Sequence, residues 1–243
     1  MASLNEDLIR AIVKGDITAV KSLLAQGADA NTTGGVTALG ASNTALMWAA
    51  TEGYFNIVEL LLAHNADVNV KNPAGYTALM FAAESDRSQI VSLLLDRGAD
   101  IGDAFWQDAL RLRNSYEETV LMTMARRGQT EIVQRLVKMG AEINATNKIG
   151  DTALYLATDN GHTYTVKALI ELGAEVNTAN IGGWTPLMMA AARGDLETMT
   201  ILLAHGADFR PKNRWGATAL SEASNSFRSA QAVDLLIKAG ATE

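Results

Sequence analysis

The sequence predicts an all-α solenoid of stacked helix–turn–helix units joined by hairpin loops. Two recurring blocks and the composition carry that expectation. A helix-start block appears as TALM at Thr44 and Thr77, TVLM at Thr119, TALY at Thr152, TPLM at Thr185 and TALS at Thr218, at spacings of 33, 42, 33, 33 and 33 residues. A second block reads QGADAN, HNADVN, RGADIG, MGAEIN, LGAEVN, HGADFR and KAGATE. The Gly or Asn before its alanine lies 21 residues after the threonine, or 22 in the last copy. Two markers keeping step at a fixed period are the mark of a repeat array. Composition agrees: 3 prolines and 6% aromatic residues among 243 favour helix over sheet, and 48% hydrophobic residues supply a core.

Each element follows from local chemistry. Threonine is a good N-cap, and Pro186 stands at the first helical position, where its missing N–H costs nothing. Leu187, Met188, Ala190 and Ala191 give the first helix its apolar side, and Gly194 ends it. Gly53, Gly128 and Gly161 match Gly194, while Asp86 replaces the glycine in copy three, a residue that tolerates left-handed backbone. Leu196, Met199, Leu202 and Leu203 fall at helical spacing in the second helix, which Gly206 closes as Asn65 does in copy two. A unit this small cannot bury both helices alone, so copies must stack. The alanine pairs 49–50, 82–83 and 190–191 let neighbours approach closely. Copy one lacks the threonine block, and its charged LNEDLIRAIVKGD suits an exposed cap.

These blocks resemble ankyrin repeats, whose signature includes T-P-L-H-x-A and a glycine-ended second helix before an A-D-V-N-like turn. The resemblance covers nearly the whole chain as one domain over 1–243, with repeats at 4–31, 32–69, 70–102, 103–144, 145–177, 178–210 and 211–243. It implies an ankyrin-repeat solenoid and a non-catalytic, cytoplasmic protein-binding scaffold or adaptor. One departure is systematic. The signature histidine is Met47, Met80, Met122, Tyr155, Met188 or Ser221 here, so part of the hydrogen bonding that ties the hairpin is expected to be missing, with methionine filling space.

Composition and motifs exclude several classes. With no cysteine there are no disulfides, thiolate metal sites or cysteine nucleophiles. The start, MASLNEDLIR, is acidic where a signal peptide is basic, and no apolar run approaches the roughly 18 residues of a membrane span. A net charge of -7 makes the chain a poor general binder of nucleic acid. His64, His162 and His205 have no second ligand at metal spacing. No nucleophile elbow, phosphate loop or dinucleotide fingerprint occurs. Asp29, Asp67, Asp100 and Asp208, with Asn31, Asn69, Asn144 and Asn177, recur with the period and read as turn and hairpin hydrogen-bonders. Catalytic, cofactor and metal residues are therefore all assigned as none.

Binding remains, since residues not needed for stacking vary between copies. In the family, contacts come mainly from hairpin tips and the exposed end of the first helix. Carried onto this chain, the residue before each capping threonine belongs to the tip: Asn43, Tyr76, Glu118, Asp151, Trp184 and Ala217. Tyr116, Ile149, Ile181, Arg214 and Trp215 lie just upstream, and Glu84, Arg126, Arg127, Asp159 and Arg193 lie at helix ends. Aromatic residues and arginine dominate interface hot spots, although each ring could instead pack across the next hairpin. The arginines of copy four would suit an acidic or phosphorylated segment of the partner. Trp48 and Phe81, at the position of Leu156 and Met189, are read as core.

Copy four is nine residues longer, 42 against 33. Its insertion, 103–118, has Phe105, Trp106, Ala109, Leu110 and Leu112 placed for a short amphipathic helix that either contacts a partner or lies back on the repeats. Copy two carries a smaller finger, TTGGVTALGASN. A bacterial host-directed effector or a regulatory inhibitor would use the same surface as an adaptor, and an enzyme with an unrecognised site near the insertion ranks below them.

Overall fold

The computed structural model describes residues 4–34, 42–73, 75–100, 118–226 and 228–242. The chain divides into two compact units, Met1–Leu112 and Arg113–Glu243. Helices of the first are α1 (Leu4–Val13), α2 (Ile17–Ala25), α3 (Ala45–Glu52), α4 (Phe55–Ala63), α5 (Ala78–Glu84) and α6 (Ser88–Asp96). Those of the second are α7 (Val120–Arg126), α8 (Thr130–Lys138), α9 (Ala153–Asp159), α10 (Thr163–Glu171), α11 (Pro186–Arg193), α12 (Leu196–Ala204), α13 (Ala219–Asn225) and α14 (Ser229–Lys238). The described residues thus hold seven consecutive helix pairs, the two helices of each packed together. A short antiparallel ladder pairs β1 (Thr33–Gly34) with β2 (Asn43–Thr44).

In the first unit α1, α3 and α5 pack in series, with α2, α4 and α6 as a second row. In the second unit the rows are α7, α9, α11, α13 and α8, α10, α12, α14. Leu46 and Leu79 in the first unit, and Leu121, Leu154 and Leu187 in the second, are buried at equivalent points of each unit's first row. So are Ala49, Ala50, Ala82, Ala83, Ala190 and Ala191, whose methyl groups permit the close approach expected of them. Trp48 and Phe81 differ from expectation: both are half-buried, whereas the smaller Leu156 at the same repeat position is buried. The Trp48 indole donates Nε1–H to the Gly34 carbonyl at 2.7 Å and so ties α3 to the β-ladder.

All six threonines cap as the sequence implies, each Oγ1 accepting from the backbone N–H three residues on at 3.1–3.4 Å. The departure from the signature histidine has a physical substitute. In copies two and four the methionine sulfur accepts from the capping threonine's own N–H, Thr44 to Met47 at 3.4 Å and Thr119 to Met122 at 3.5 Å. Ser221 does the same for Thr218 at 2.9 Å. These caps remain reciprocal without imidazole. Asn65 and Asp86 adopt the left-handed backbone that glycine holds elsewhere, at φ 62° and 59°.

The recurring asparagines stitch one repeat to the next. Within the first unit, the Asn31 and Asn69 side-chain carbonyls accept from the N–H of Asp67 and Asp100 at 2.7 and 2.8 Å. Within the second, Asn144 and Asn177 accept from Glu175 and Asp208 at 2.9 and 2.8 Å. Satisfying these loop donors holds the hairpins in register with the helices beneath them.

Candidate interaction surface

A second asparagine series builds the hairpin tips. Asn147, Asn180 and Asn213 each donate their N–H to the carbonyl four residues on, Asp151, Trp184 and Ala217, at 2.9–3.0 Å. Their side-chain carbonyls accept in return from the N–H of the same three residues. Each tip is thereby a closed, rigid loop. Neighbouring tips are joined by backbone bonds, Ile181 N–H to Ile149 carbonyl at 2.9 Å and Arg214 N–H to Gly182 carbonyl at 3.0 Å. That approach requires glycine at two points. Gly150 and Gly183 have φ of 81° and 79°, and a β-carbon there would lie 2.8 Å from Ile181 N and 2.9 Å from Asn213 Cα. Gly183, immediately before Trp184, is thus explained by the next hairpin lying against it.

Outward from this frame stand large apolar side chains. Ile149 is 52% exposed, Ile181 53% and Trp215 75%. Trp184 is half-buried. A β-carbon at Gly182 would lie 3.2 Å from Trp184 Cδ1 and 3.8 Å from Trp215 Cζ3, so both rings flank that bare position. Arg214 is exposed beside them.

Other expected contact residues are engaged internally. Asp151 is 4% exposed, and its carboxylate accepts from Asn180 Nδ2 at 2.9 Å. It is a buried link between hairpins where the sequence led us to expect a contact residue. Burial pushes its pKa up, the bonds from Asn180 and Asn147 oppose this, and the Asp159 and Glu118 charges add to the rise. The Tyr155 phenol, in the signature-histidine position, is driven well above its usual range by burial and by the Asp151 and Asp159 carboxylates. Asn43 is buried likewise and accepts from Asn72 Nδ2 at 2.7 Å, so the position before the cap is often an inter-hairpin bond rather than a contact surface.

Arg126 and Arg193 are also occupied. Arg126 pairs with the buried Glu118 at 3.1 Å. Arg193 is exposed, but its guanidinium donates to the Asp159 carbonyl at 2.6 Å, satisfying the end of α9. Arg87 does this for Thr51 at 3.3 Å, and His162 Nε2 donates to the Arg126 carbonyl at 3.0 Å. Cations and donors at helix C-termini stabilise the unsatisfied carbonyls there. Asp159 itself is half-buried, as is Arg127, and Glu84 is exposed. Tyr76 is half-buried with its ring against Phe81, centroids 5.2 Å apart. Burial and then the Glu84 charge raise the Tyr76 hydroxyl pKa. Phe105, Trp106 and Tyr116, with the insertion except Glu118, lie outside the described residues.

Among the described residues no group of three or more His, Asp or Glu side chains is placed to hold a metal ion. His64 and His205 bond through Nδ1 to the Leu60 and Ile201 carbonyls of their own helices at 2.9 and 2.8 Å. No described helix is long and apolar enough to cross a membrane. Sequence reasoning missed the tip asparagines, although Asn147, Asn180 and Asn213 recur at the 33-residue period and were open to the same test as the blocks.

The family model for ankyrin repeats (three copies) matches residues 8–104, 106–180 and 177–242. The crystal structure of the human ASB11 ankyrin repeat domain is similar at a TM-score of 0.75 and 27% sequence identity, covering 97% of this chain and 99% of that one. No curated protein matches the chain significantly.

Proposed function

We infer the function from one premise: this chain belongs to the ankyrin-repeat family. Ankyrin repeats generally mediate protein–protein interaction. We propose a non-catalytic scaffold or adaptor that holds a partner protein on the tips of the second unit, with Ile149, Trp184, Arg214 and Trp215 as contacts. With no cysteine the chain offers no disulfide argument for an oxidising compartment, and we place it in the cytoplasm. An adaptor, an inhibitor and a host-directed effector would share this surface.

One observation carries the reading. The Trp215 indole is 75% exposed on a tip whose backbone Asn213 closes from both sides. An exposed indole adds little to folding, whereas a rigid tip loses little entropy on binding. An acidic or phosphorylated segment at Arg126 and Arg127 is less well supported, because Arg126 already pairs with Glu118.

The test is affinity capture with mass spectrometry, comparing wild type with Trp184→Ala and Trp215→Ala. Helical circular dichroism should be unchanged in both, and the captured partner should bind more weakly by about 2 kcal/mol or more. Undiminished binding by both variants overturns the assignment of these tips.

A further inference from the structure

Resting on that reading of the tips, we propose that they take an extended acidic segment with an apolar residue between its acids. The chain as a whole carries a net charge of -7, yet its tips in copies five to seven run against that sign. Residues 145–150, 178–183 and 211–216 contain Lys148, Lys212 and Arg214 and no carboxylate. All three cations are exposed. The nearest acid in sequence, Asp151, is buried against Asn180, and the exposed Arg210 is paired with Asp208 at 2.9 Å.

The pattern across the tips is more specific than the charge. Counting from Asn147, Asn180 and Asn213, the next positions are Lys148, Ile181 and Arg214: cation, apolar, cation. The row after it is Ile149, Gly182 and Trp215, in which the side-chain-free middle is flanked by the Trp184 and Trp215 rings. The backbone bonds between tips fix these rows in register. Stacked helices lie about 8–10 Å apart, and an extended segment in the polyproline II conformation advances about 3.1 Å per residue with about three residues per turn, so every third side chain falls on the same side. Such a segment laid across the tips turns the same face to successive hairpins at about every third residue. Its acids face Lys148 and Arg214, and its middle apolar residue rests on Ile181 and the tryptophan-flanked gap, with Lys212 strengthening the field. Charge complementarity sets orientation and association rate, and the indole supplies the anchor.

The probe is a fluorescein-labelled peptide, Glu-x-x-Leu-x-x-Glu on a Ser/Thr background, titrated against the full chain by anisotropy. Companion peptides carry Lys for both Glu, or Ser for Leu. The acidic peptide should bind, weaken with salt, and lose about tenfold in affinity when Lys148→Ala, Lys212→Ala and Arg214→Ala are combined. All three side chains are exposed, so circular dichroism of that variant should match wild type. Equal binding of the Lys peptide, or unchanged affinity in the triple variant, overturns the proposal. If Trp215→Ala weakens acidic and basic peptides alike, the tips bind but their charge does not choose. No binding of any peptide at about millimolar concentration, the weak end of recognition, overturns the acidic segment. The capture experiment then decides separately whether the tips bind at all.

Discussion

Asp151 and Trp184 occupy the same place in consecutive hairpins, one residue before a capping threonine, and meet opposite fates. Asp151 is 4% exposed and accepts from the following hairpin's asparagine. Trp184 receives the same backbone support from its own tip asparagine, yet its ring remains half-buried beside Gly182. Variation between copies therefore marks two different things. A small polar side chain can turn inward and bond across hairpins. An indole is too large for that slot and stays at the edge, where it becomes available to a partner.

Three substitutions would break or sharpen this contrast against the stack beneath. Leu187→Ala should have the largest effect, lowering unfolding free energy by about 2–5 kcal/mol in urea titration, because Leu187 is fully enclosed and its loss leaves a cavity. A loss no greater than that of Trp184→Ala would mean that the first row of helices does not carry the stability.

Asp151→Ala comes next, at about 1–3 kcal/mol, since it leaves the Asn180 amide without its acceptor. It should leave binding at the tips weakened only as far as folding is. Normal stability would remove the contrast with Trp184.

Asp151→Asn is the finest probe. The carbonyl of asparagine can still accept from Asn180, as Asn43 does from Asn72. Burial raises the folded pKa of Asp151 above the ordinary 3.8, so the ionised form is the costlier one in the fold. Stability that wild type holds below the ordinary value is lost as pH rises through the raised one. The Asp151→Asn protein has no such proton to lose, so its stability relative to wild type should grow across that window and then level off. A difference independent of pH would show that Asp151 ionises in the fold as it does in water.

The caps, breaks and repeat register were legible because they depend on nearby residues: Thr185 and the N–H of Met188, or the left-handed turns at Asn65 and Asp86. The recurring Asn31, Asn69, Asn144 and Asn177 were legible as hairpin bonders because they recur with the period, although the backbone groups they bond lie 31–36 residues away. The candidate surface was only half readable. Trp215 and Ile149 are exposed as tip residues should be, whereas Asp151, Arg126 and Arg193 are held by groups from eight to more than thirty residues away, a distance over which local pattern is silent. Met47 and Met122 accepting a hydrogen bond through sulfur was hidden too, since methionine reads in sequence as a space-filler.

By itself the sequence determined the helix pairs, their capping chemistry and the period that obliges them to stack, because short-range torsions and hydrogen bonds repeat wherever the letters do. Tertiary structure alone decided which variable residues face inward. Burial and charge pairing depend on what the neighbouring hairpin presents, as Asn180 does to Asp151 and Glu118 to Arg126.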